Sequence, residues 1–335
     1  MNIKTLKVTS TFLMVIFIGT TIKAQQDPQF SMNMATRLQV NPAFAGMNDG
    51  ICANLLSRQQ WVGFEGRPET YLFGVHGTFT IPGINLRSGG GLTVISEGLG
   101  QTRFAGFKGA YSAHIPLKFI GGRSGYLGLG LAGGLMQYGI GSNWRSLTDY
   151  WLDPLIPDQG YEANAFDLDA GIYYKAQNVY FGVSATHLTA PSLAGNGQAD
   201  NNGQDWATEY NYQRHFHLIA GYDYAIPSYN LLVLQPSVFV KTELTSAQFD
   251  INLLAEWNNF LWGGVTYRFI DAAVVMAGLK YNAPIGTFKG GYAYDITTSR
   301  INAGSNGSHE VFLQYCMKLK PCLLYTSDAA DELCR

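Results

Sequence analysis

Histidines are the side chains of this sequence best suited to catalysis or metal binding. His215 and His217 stand two residues apart, so they share one face of any strand that contains them. Two ligands do not hold a metal ion, and a third, such as Asp223 or His309, would have to come close in the fold. We therefore expect polar residues inside the protein here, with no metal and no cofactor.

Serine hydrolase chemistry is the second option. Ser184 and His187 are close in sequence, but they fall on adjacent faces of the alternation and lack a nucleophile elbow. We find no Walker loop, dinucleotide fingerprint or paired-carboxylate motif, and we interpret Asp167 and Asp169 as polar residues facing a lumen. The chain is therefore predicted not to be an enzyme.

These residues lie in segments of about ten residues that alternate apolar with small or polar side chains, from Ile51 to Leu319. In Phe166–Lys175 the even positions suit hydrocarbon, whereas Asp167, Asp169 and Lys175 suit water. Only 14% of residues are charged, against roughly 25% in soluble proteins. Because a membrane accepts only helices or closed barrels, we predict an all-β fold, a transmembrane antiparallel up-and-down β-barrel of the outer-membrane type.

The barrel is predicted to have about fourteen strands, an even number as bacterial single-chain barrels require. They are placed at residues 50–57, 70–80, 89–97, 104–115, 124–137, 165–175, 178–187, 214–224, 232–241, 247–256, 260–269, 272–282, 286–296 and 309–319.

The lengths of the connections predict which way the barrel faces. The first, fifth, seventh and last are long, at residues 58–69, 138–164, 188–213 and 297–308. All four are odd-numbered, so they lie on one side of the membrane, and outer-membrane barrels keep their long loops outside. We expect both termini to be periplasmic, in the outer membrane of a Gram-negative bacterium. The fifth and seventh connections carry charges and tryptophans that suit either plain solvation or a partner.

The ends of the chain are interpreted separately. Lys4 and Lys7 precede an apolar run, which predicts a signal peptide over residues 1–24. Residues 25–49 are predicted to form a periplasmic or plug segment, and residues 50–320 the barrel. Residues 322–335 look like the translation of a sequencing-library adapter and are excluded from the fold.

Glycines and cysteines give two further expectations. Gly128 and Gly130 alternate with leucines; we favour barrel curvature as their role, with close approach of a plug as the alternative. Cys52 and Cys316 lie on the first and last strands, which meet at closure, and both point inward. A disulfide across the seam and two separate thiols both fit, and a Cα separation above about 7 Å would exclude the bond.

Motifs in a shared order also resemble the PorP/SprF family of type IX secretion proteins. They include Gln26–Ser31, Val40–Gly46, Arg58–Phe64, Phe166–Tyr174, Gly291–Thr297 and Gly307–Glu310, and the resemblance covers residues 26–319. It implies an outer-membrane barrel of the Bacteroidota that assists secretion or surface attachment of a large adhesin-like cargo, including gliding adhesins.

The resemblance also implies partners. These are the C-terminal domain of the exported cargo, periplasmic type IX or envelope components, and outer-membrane lipid; the net charge of -2 gives no reason to expect nucleic acid. We expect the external loops to seat the cargo, and residues 25–46 together with the short turns to contact periplasmic partners. The candidate residues for partner contact or loop anchoring are Trp61, Phe64, Asp295, His309 and Glu310. Trp61 and Phe64 also suit an interfacial aromatic girdle. The alternative function is a passive channel for small or hydrophobic solutes.

Overall fold

Backbone pairing between neighbouring strands governs the architecture. The computed structural model describes residues 27–118, 124–141, 160–196, 207–227 and 231–317. Within these residues fourteen antiparallel strands form one closed barrel, so the predicted fold class is confirmed. No helix in the described residues is both long and apolar enough to cross a bilayer.

Short helical turns precede the first strand, and one follows the sixteenth. Helix α1 covers Arg37–Val40, and 3-10 turns cover Pro42–Phe44 and Arg300–Ala303. The strands are β1 (Ile51–Gln59), β2 (Glu69–Ile81), β3 (Leu86–Leu99), β4 (Thr102–Lys118), β5 (Ser124–Ile140), β6 (Tyr161–Ala176), β7 (Val179–Thr186), β8 (Ser192–Asn196), β9 (Ala207–Asn211), β10 (His215–Tyr222), β11 (Tyr224–Ala225), β12 (Leu232–Thr242), β13 (Ala247–Trp257), β14 (Leu261–Arg268), β15 (Ala272–Ala283), β16 (Gly286–Thr297) and β17 (Ser308–Met317).

Each barrel strand pairs with the next, and β1 closes the ring against β17 over Ile51↔Met317 to Gln59↔His309. Strands β8 and β9 form a separate hairpin in the seventh connection, so β7 pairs directly with β10. The two-residue strand β11 continues the line of β10 along β12. The fourteen predicted strands all occur, with ends within four residues of the prediction.

Alternation sorts the side chains by face. Outward positions carry large apolar side chains that are exposed, such as Leu131, Leu135 and Leu313. Inward positions carry buried polar and charged side chains, among them Asp167 and Asp169. This apolar exterior matches acyl chains, because a soluble barrel would turn its polar face outward.

The long connections lie at one rim. Residues 60–68, 141–160, 187–214 and 298–307 join strands there, together with the other odd-numbered connections; we call it the odd rim. The even rim, at the opposite end, holds the even-numbered connections, the start of β1 and the end of β17.

Several sequence predictions lie outside the described residues. They are the signal peptide (1–24), the adapter tail (322–335) and the end of the last predicted strand (318–319). Most of the charged and tryptophan-bearing parts of the fifth and seventh connections, 142–159 and 197–206, also lie outside them.

Candidate functional site

Residues 27–50, which we call the luminal segment, lie inside the barrel. Phe30 packs on Leu56, Leu72 and Ile95 of β1 to β3. Met32 is fully buried in a cluster of residues from β13 to β17. Further along, Leu38 and Phe44 join a cluster with residues from β6, β10 and β12. The segment therefore contacts strands all round the barrel and fills much of the lumen.

An Asn-Pro pair sets the path of the segment at its centre. The side chain of Asn41 accepts a hydrogen bond from the backbone N–H of Ala43, and Pro42 opens the 3-10 turn. The Asn41 amide also donates to the carbonyl oxygens of Ile172 on β6 and Val183 on β7, at 3.1 and 3.3 Å. One residue thus caps the turn and fastens it to the wall.

Because several wall residues are glycines, the backbone of the luminal segment lies in van der Waals contact with the backbone of the strands. A Cβ on Gly130 would lie 2.2 Å from the backbone nitrogen of Ala43, and one on Gly128 would lie 2.7 Å from its carbonyl oxygen. A Cβ on Gly89 would lie 1.9 Å from the carbonyl oxygen of Ala45. The sequence favoured barrel curvature for Gly128 and Gly130, with close approach of a plug as the alternative; the contacts support the alternative, because these positions permit close approach of chain in the lumen.

A first buried charge network, the arginine cluster, comprises Ser31, Arg58, Arg268, Asp295 and Glu310. Arg58 donates from Nη2 to Asp295 at 2.8 Å and from Nη1 to Glu310 at 3.1 Å. Glu310 accepts the backbone N–H groups of Ser31 and Met32, both at 2.8 Å.

The arginine cluster holds the luminal segment near the odd rim. Ser31 Oγ donates to Asp295 at 2.6 Å, and Arg268 donates to the carbonyl oxygen of Phe30 at 2.9 Å. Both arginines and Glu310 are at most 2% exposed. Charges buried to this degree need partners of opposite sign and complete hydrogen bonding, which the segment helps to supply.

A second network, the histidine cluster, comprises Asp27, Lys108, Asp167, Asp169, His187 and Lys241. The carboxylate of Asp27 accepts a hydrogen bond from His187 Nε2 at 2.9 Å, and the backbone carbonyl oxygen of Asp27 accepts one from Lys241 at 2.9 Å. The other imidazole nitrogen contacts Asp167 at 2.7 Å. Lys108 donates to Asp167 at 2.6 Å and to Asp169 at 2.7 Å.

Charges around His187 set its protonation state. Burial lowers its pKa, but the Asp27 carboxylate and the hydrogen bond to Asp167 outweigh burial and raise the pKa to about 9. For Asp27 burial raises the pKa, and the surrounding imidazoles and Lys241 outweigh it, so that the pKa lies well below its usual range. The two groups therefore form an ion pair at neutral pH.

Two groups of these side chains have the spacing of metal ligands. Asp27, His187 and His215, and separately Asp167, Asp169 and His187, place ligand atoms within 4.8 Å of one another. However, Lys108 Nζ and the imidazole nitrogens of His187 already bind these carboxylates. We interpret the groups as an ion-pair network. His215 and His217 do share a buried face, but the sequence did not anticipate Asp27 and His187 beside them.

Asp295 and Glu310 come together, but His309 lies apart from them. Asp295 and Glu310 are 1% and 0% exposed and bind the luminal segment, so a partner has no access to them. His309 is instead within hydrogen-bond distance of the Tyr292 hydroxyl at 2.5 Å, on a half-exposed face of β17.

Trp61 and Phe64 lie in the first connection at the odd rim. The backbone N–H of Trp61 donates to Ser308 Oγ at 3.0 Å, and Phe64 is 41% exposed. Val62 exchanges backbone hydrogen bonds with Asn306 and Gly307. The first and last connections of the odd rim are thus hydrogen-bonded to each other above the barrel seam.

Cys52 and Cys316 face each other at this seam. They are directly paired in the β1–β17 register, with Cα atoms 4.0 Å apart, and the two sulfurs are joined as a disulfide. The bond lies near the even rim and closes the ring covalently.

Contacts of the luminal segment do not fit the expectation that residues 25–46 meet periplasmic partners. Most of residues 30–47 are buried against the barrel wall. Sequence reasoning also missed Ser31, Lys108 and Arg268 as anchors of this segment. The available signal was a set of inward-facing charges on β4, β6, β14 and β16, which need counter-charges once they are buried.

Comparison with known proteins adds a family and a fold. A sequence profile described as "Type IX secretion system membrane protein PorP/SprF" matches residues 22–315. No curated protein matches the chain in sequence.

Solved outer-membrane channels resemble the chain in fold. The "CymD monoaromatic hydrocarbon channel" is 13% identical, with a TM-score of 0.50 over 87% of this chain and 94% of the other. The Ralstonia pickettii toluene transporter TbuX is 10% identical, with a TM-score of 0.50 over 85% and 94%. At such identities the likeness concerns the barrel alone.

Proposed function

The chain belongs to the PorP/SprF family of type IX secretion system membrane proteins, and from this premise we propose that it is an accessory barrel that helps to secrete or anchor a large adhesin-like cargo. The barrel sits in the outer membrane, as its apolar exterior and its structural neighbours support. Cargo of the gliding-adhesin type and a source among the Bacteroidota are parts of the proposal.

Occupancy of the lumen is the observation that carries the proposal. The luminal segment contacts β1 to β3, β13 to β17, and β6, β10 and β12, and two buried charge networks hold it. A polypeptide in transit would have to displace these contacts. Such a barrel is suited to act as a rigid base that presents its rim, while another component supplies the pathway.

The odd rim is the surface that we propose for the cargo. It carries the long connections, and the paired first and last connections give it a defined shape. Exposed apolar side chains there include Phe64, Leu244 and Ile270. We propose that this rim faces outward and binds the C-terminal domain of the cargo, and that the even rim meets periplasmic type IX components.

Deletion of the gene, followed by a surface proteome, tests this function. We expect one large surface protein to be lost and to return on complementation with the wild-type gene. An unchanged surface proteome would remove the secretion role.

Two matched variants test the sidedness. Phe64→Ser changes an exposed apolar side chain at the odd rim, and Ile285→Ser changes one at the even rim, where Ile285 is 65% exposed. We expect Phe64→Ser to lower cargo display severalfold, because apolar anchors dominate interfaces, whereas Ile285→Ser leaves it near wild type. Equal effects of the two variants would contradict a cargo surface at the odd rim.

The alternative is a passive channel for small or hydrophobic solutes. It draws on the structural neighbours, which are described as hydrocarbon channels and a toluene transporter. The filled lumen counts against an open pore. Steady conductance in planar bilayers, together with normal cargo display in the deletion strain, would favour the channel.

A further inference from the structure

A cavity remains beneath the even rim, between the luminal segment and the wall. Its volume is about 210 Å³, and at roughly 30 Å³ per water it has room for about seven water molecules. Arg37, Lys175, Lys289 and Asp223 line it, and so does Gln177 from the turn at the even rim. We call it the even-rim cavity.

Its three cations lack carboxylate partners. Within the described residues no carboxylate oxygen lies within 4.0 Å of the charged nitrogens of Arg37, Lys175 or Lys289. This contrasts with Lys280 nearby, which pairs with Glu256 at 2.8 Å. Elsewhere in the lumen Arg58, Lys108 and Arg268 are buried and have carboxylate partners, whereas Lys241, which is also buried, binds the backbone carbonyl oxygen of Asp27.

Hydrogen bonding leaves these cations only partly satisfied. The Nε of Arg37 is buried without a partner, and its Nη1 reaches only the Tyr173 hydroxyl, at 3.4 Å. Lys289 lies over the Trp262 ring, with Nζ 4.8 Å from the centroid. Lys175 donates to the side-chain oxygen of Asn48 at 2.7 Å. Arg37 is half-buried, and a buried donor such as its Nε is costly to leave unused unless a ligand completes its hydrogen bonding.

The charge of the lining indicates the ligand. Three cations and the single carboxylate of Asp223 give a net charge of +2. His76, also in the lining, accepts a hydrogen bond at Nδ1 from the backbone N–H of Gly46, so it is counted as neutral. A free phosphate or a phosphate monoester carries about -1.5 to -2 charges at neutral pH and offers several acceptor oxygens.

We propose that the even-rim cavity binds a phosphate group, carried either by a free ion or by a phospholipid headgroup. Arg37, Lys175 and Lys289 supply the donors, because charge-assisted hydrogen bonds from these groups to phosphate are strong. Asp223 opposes the ligand and sets its affinity. This inference stands independently of the cargo role, since it concerns the opposite rim.

Thermal unfolding of the purified full chain in neutral detergent tests the proposal. A ligand that binds only the folded state raises the melting temperature, so inorganic phosphate should raise it at constant ionic strength, and acetate should do so less. A second arm adds phosphatidic acid or phosphatidylcholine to the micelles. Stabilisation by phosphatidic acid, without stabilisation by inorganic phosphate or by phosphatidylcholine, would assign the phosphate to a lipid headgroup.

Three variants make the test specific. Lys289→Gln should weaken binding about tenfold, as expected when a charged hydrogen bond is lost. Asp223→Asn should tighten binding, because it removes the opposing charge, and this gain cannot arise from misfolding. Lys280→Gln is the matched control, since that lysine already has a carboxylate, and should leave the phosphate response unchanged.

Two results would overturn the proposal. One is the absence of stabilisation by both inorganic phosphate and phosphatidic acid in a folded wild-type protein. The other is an equal response of Lys289→Gln, Asp223→Asn and Lys280→Gln to the added phosphate.

Discussion

Arg58 connects the barrel wall to the luminal segment. Its guanidinium binds Asp295 and Glu310, and these two carboxylates in turn bind Ser31 and Met32 of the luminal segment. Arg58 is 2% exposed, so water has almost no access to the carboxylates that it binds. Removing one partner from such a group leaves buried charge without compensation, which costs more than the intact pair contributes.

Arg58→Leu should therefore lower the free energy of unfolding by about 3–5 kcal/mol. It should also make residues 27–36 accessible to protease. Arg67→Leu is the control, because Arg67 and Glu69 form a partly exposed pair at the odd rim, whose loss should cost only about 1 kcal/mol or less. Denaturant titration in detergent and limited proteolysis measure both effects, and similar losses for the two variants would contradict the anchoring role.

His187 should make the stability of the contacts around Asp27 depend on pH. Its pKa is raised from 6.5 to about 9, because the charge of Asp27 and the hydrogen bond to Asp167 outweigh burial. The stability contributed by the charged imidazole is thus full below pH 6.5 and is lost as pH rises through about 9. The protection of residues 27–32 against hydrogen exchange, measured relative to the intrinsic rate at each pH, should fall over that rise. His187→Gln should remove most of the dependence, and protection in the wild type that does not change with pH would contradict the ion pair.

At the scale of elements, glycines on the inner face of the strands allow the backbone of the luminal segment to lie close to the wall. Gly130→Ala would place a Cβ 2.2 Å from the Ala43 nitrogen, so backbone must shift. We expect a loss of about 1–3 kcal/mol, as for overpacking. Gly98→Ala, on β3, meets nothing within 4 Å and should be near neutral. Thermal melts of the two variants make the comparison, and equal melting temperatures would disprove the close fit.

Strands were predictable here because lipid imposes alternation on every one of them. A run such as Phe166–Asp169 puts exposed apolar side chains beside buried carboxylates, and no other secondary structure satisfies both. The β8–β9 hairpin was missed, since a short pair in a long connection has no lipid-facing face to reveal it.

The position of the luminal segment and its contacts could not be predicted from alternation. Residues 27–50 have no period, and their contacts are with residues far away in sequence, such as Ser31 with Glu310. Asp295 and Glu310 were recognised as candidates, but their partners Ser31 and Arg268 were not. Inward alternation shows that a charge faces the lumen but does not show which counter-charge meets it.

On the scale of the whole molecule, the seam between β1 and β17 closes the ring. Cys52 and Cys316 join it across a sequence separation of 264 residues. Such a bond restricts the unfolded chain, and replacing both cysteines by serine should cost about 2–4 kcal/mol.

Gel mobility and melting temperature measure this contribution. Both proteins carry Cys322→Ser and Cys334→Ser, so that only Cys52 and Cys316 can form a disulfide. The denatured protein that keeps Cys52 and Cys316 should migrate faster without reductant than with it. The Cys52→Ser/Cys316→Ser variant should show one mobility in both conditions and melt earlier. Equal mobility of the wild type with and without reductant would show that the bond does not form.

The route of the luminal segment has a consequence for biogenesis. The described part of the luminal segment runs from Asp27, near the odd rim, to Gly50, at the even rim, and continues directly into β1, which pairs with the last strand. We expect the wall to close around this segment, because the segment is packed against strands from all parts of the ring. Insertion of the barrel would then require the edges of β1 and β17 to stay apart until residues 27–50 have made these contacts.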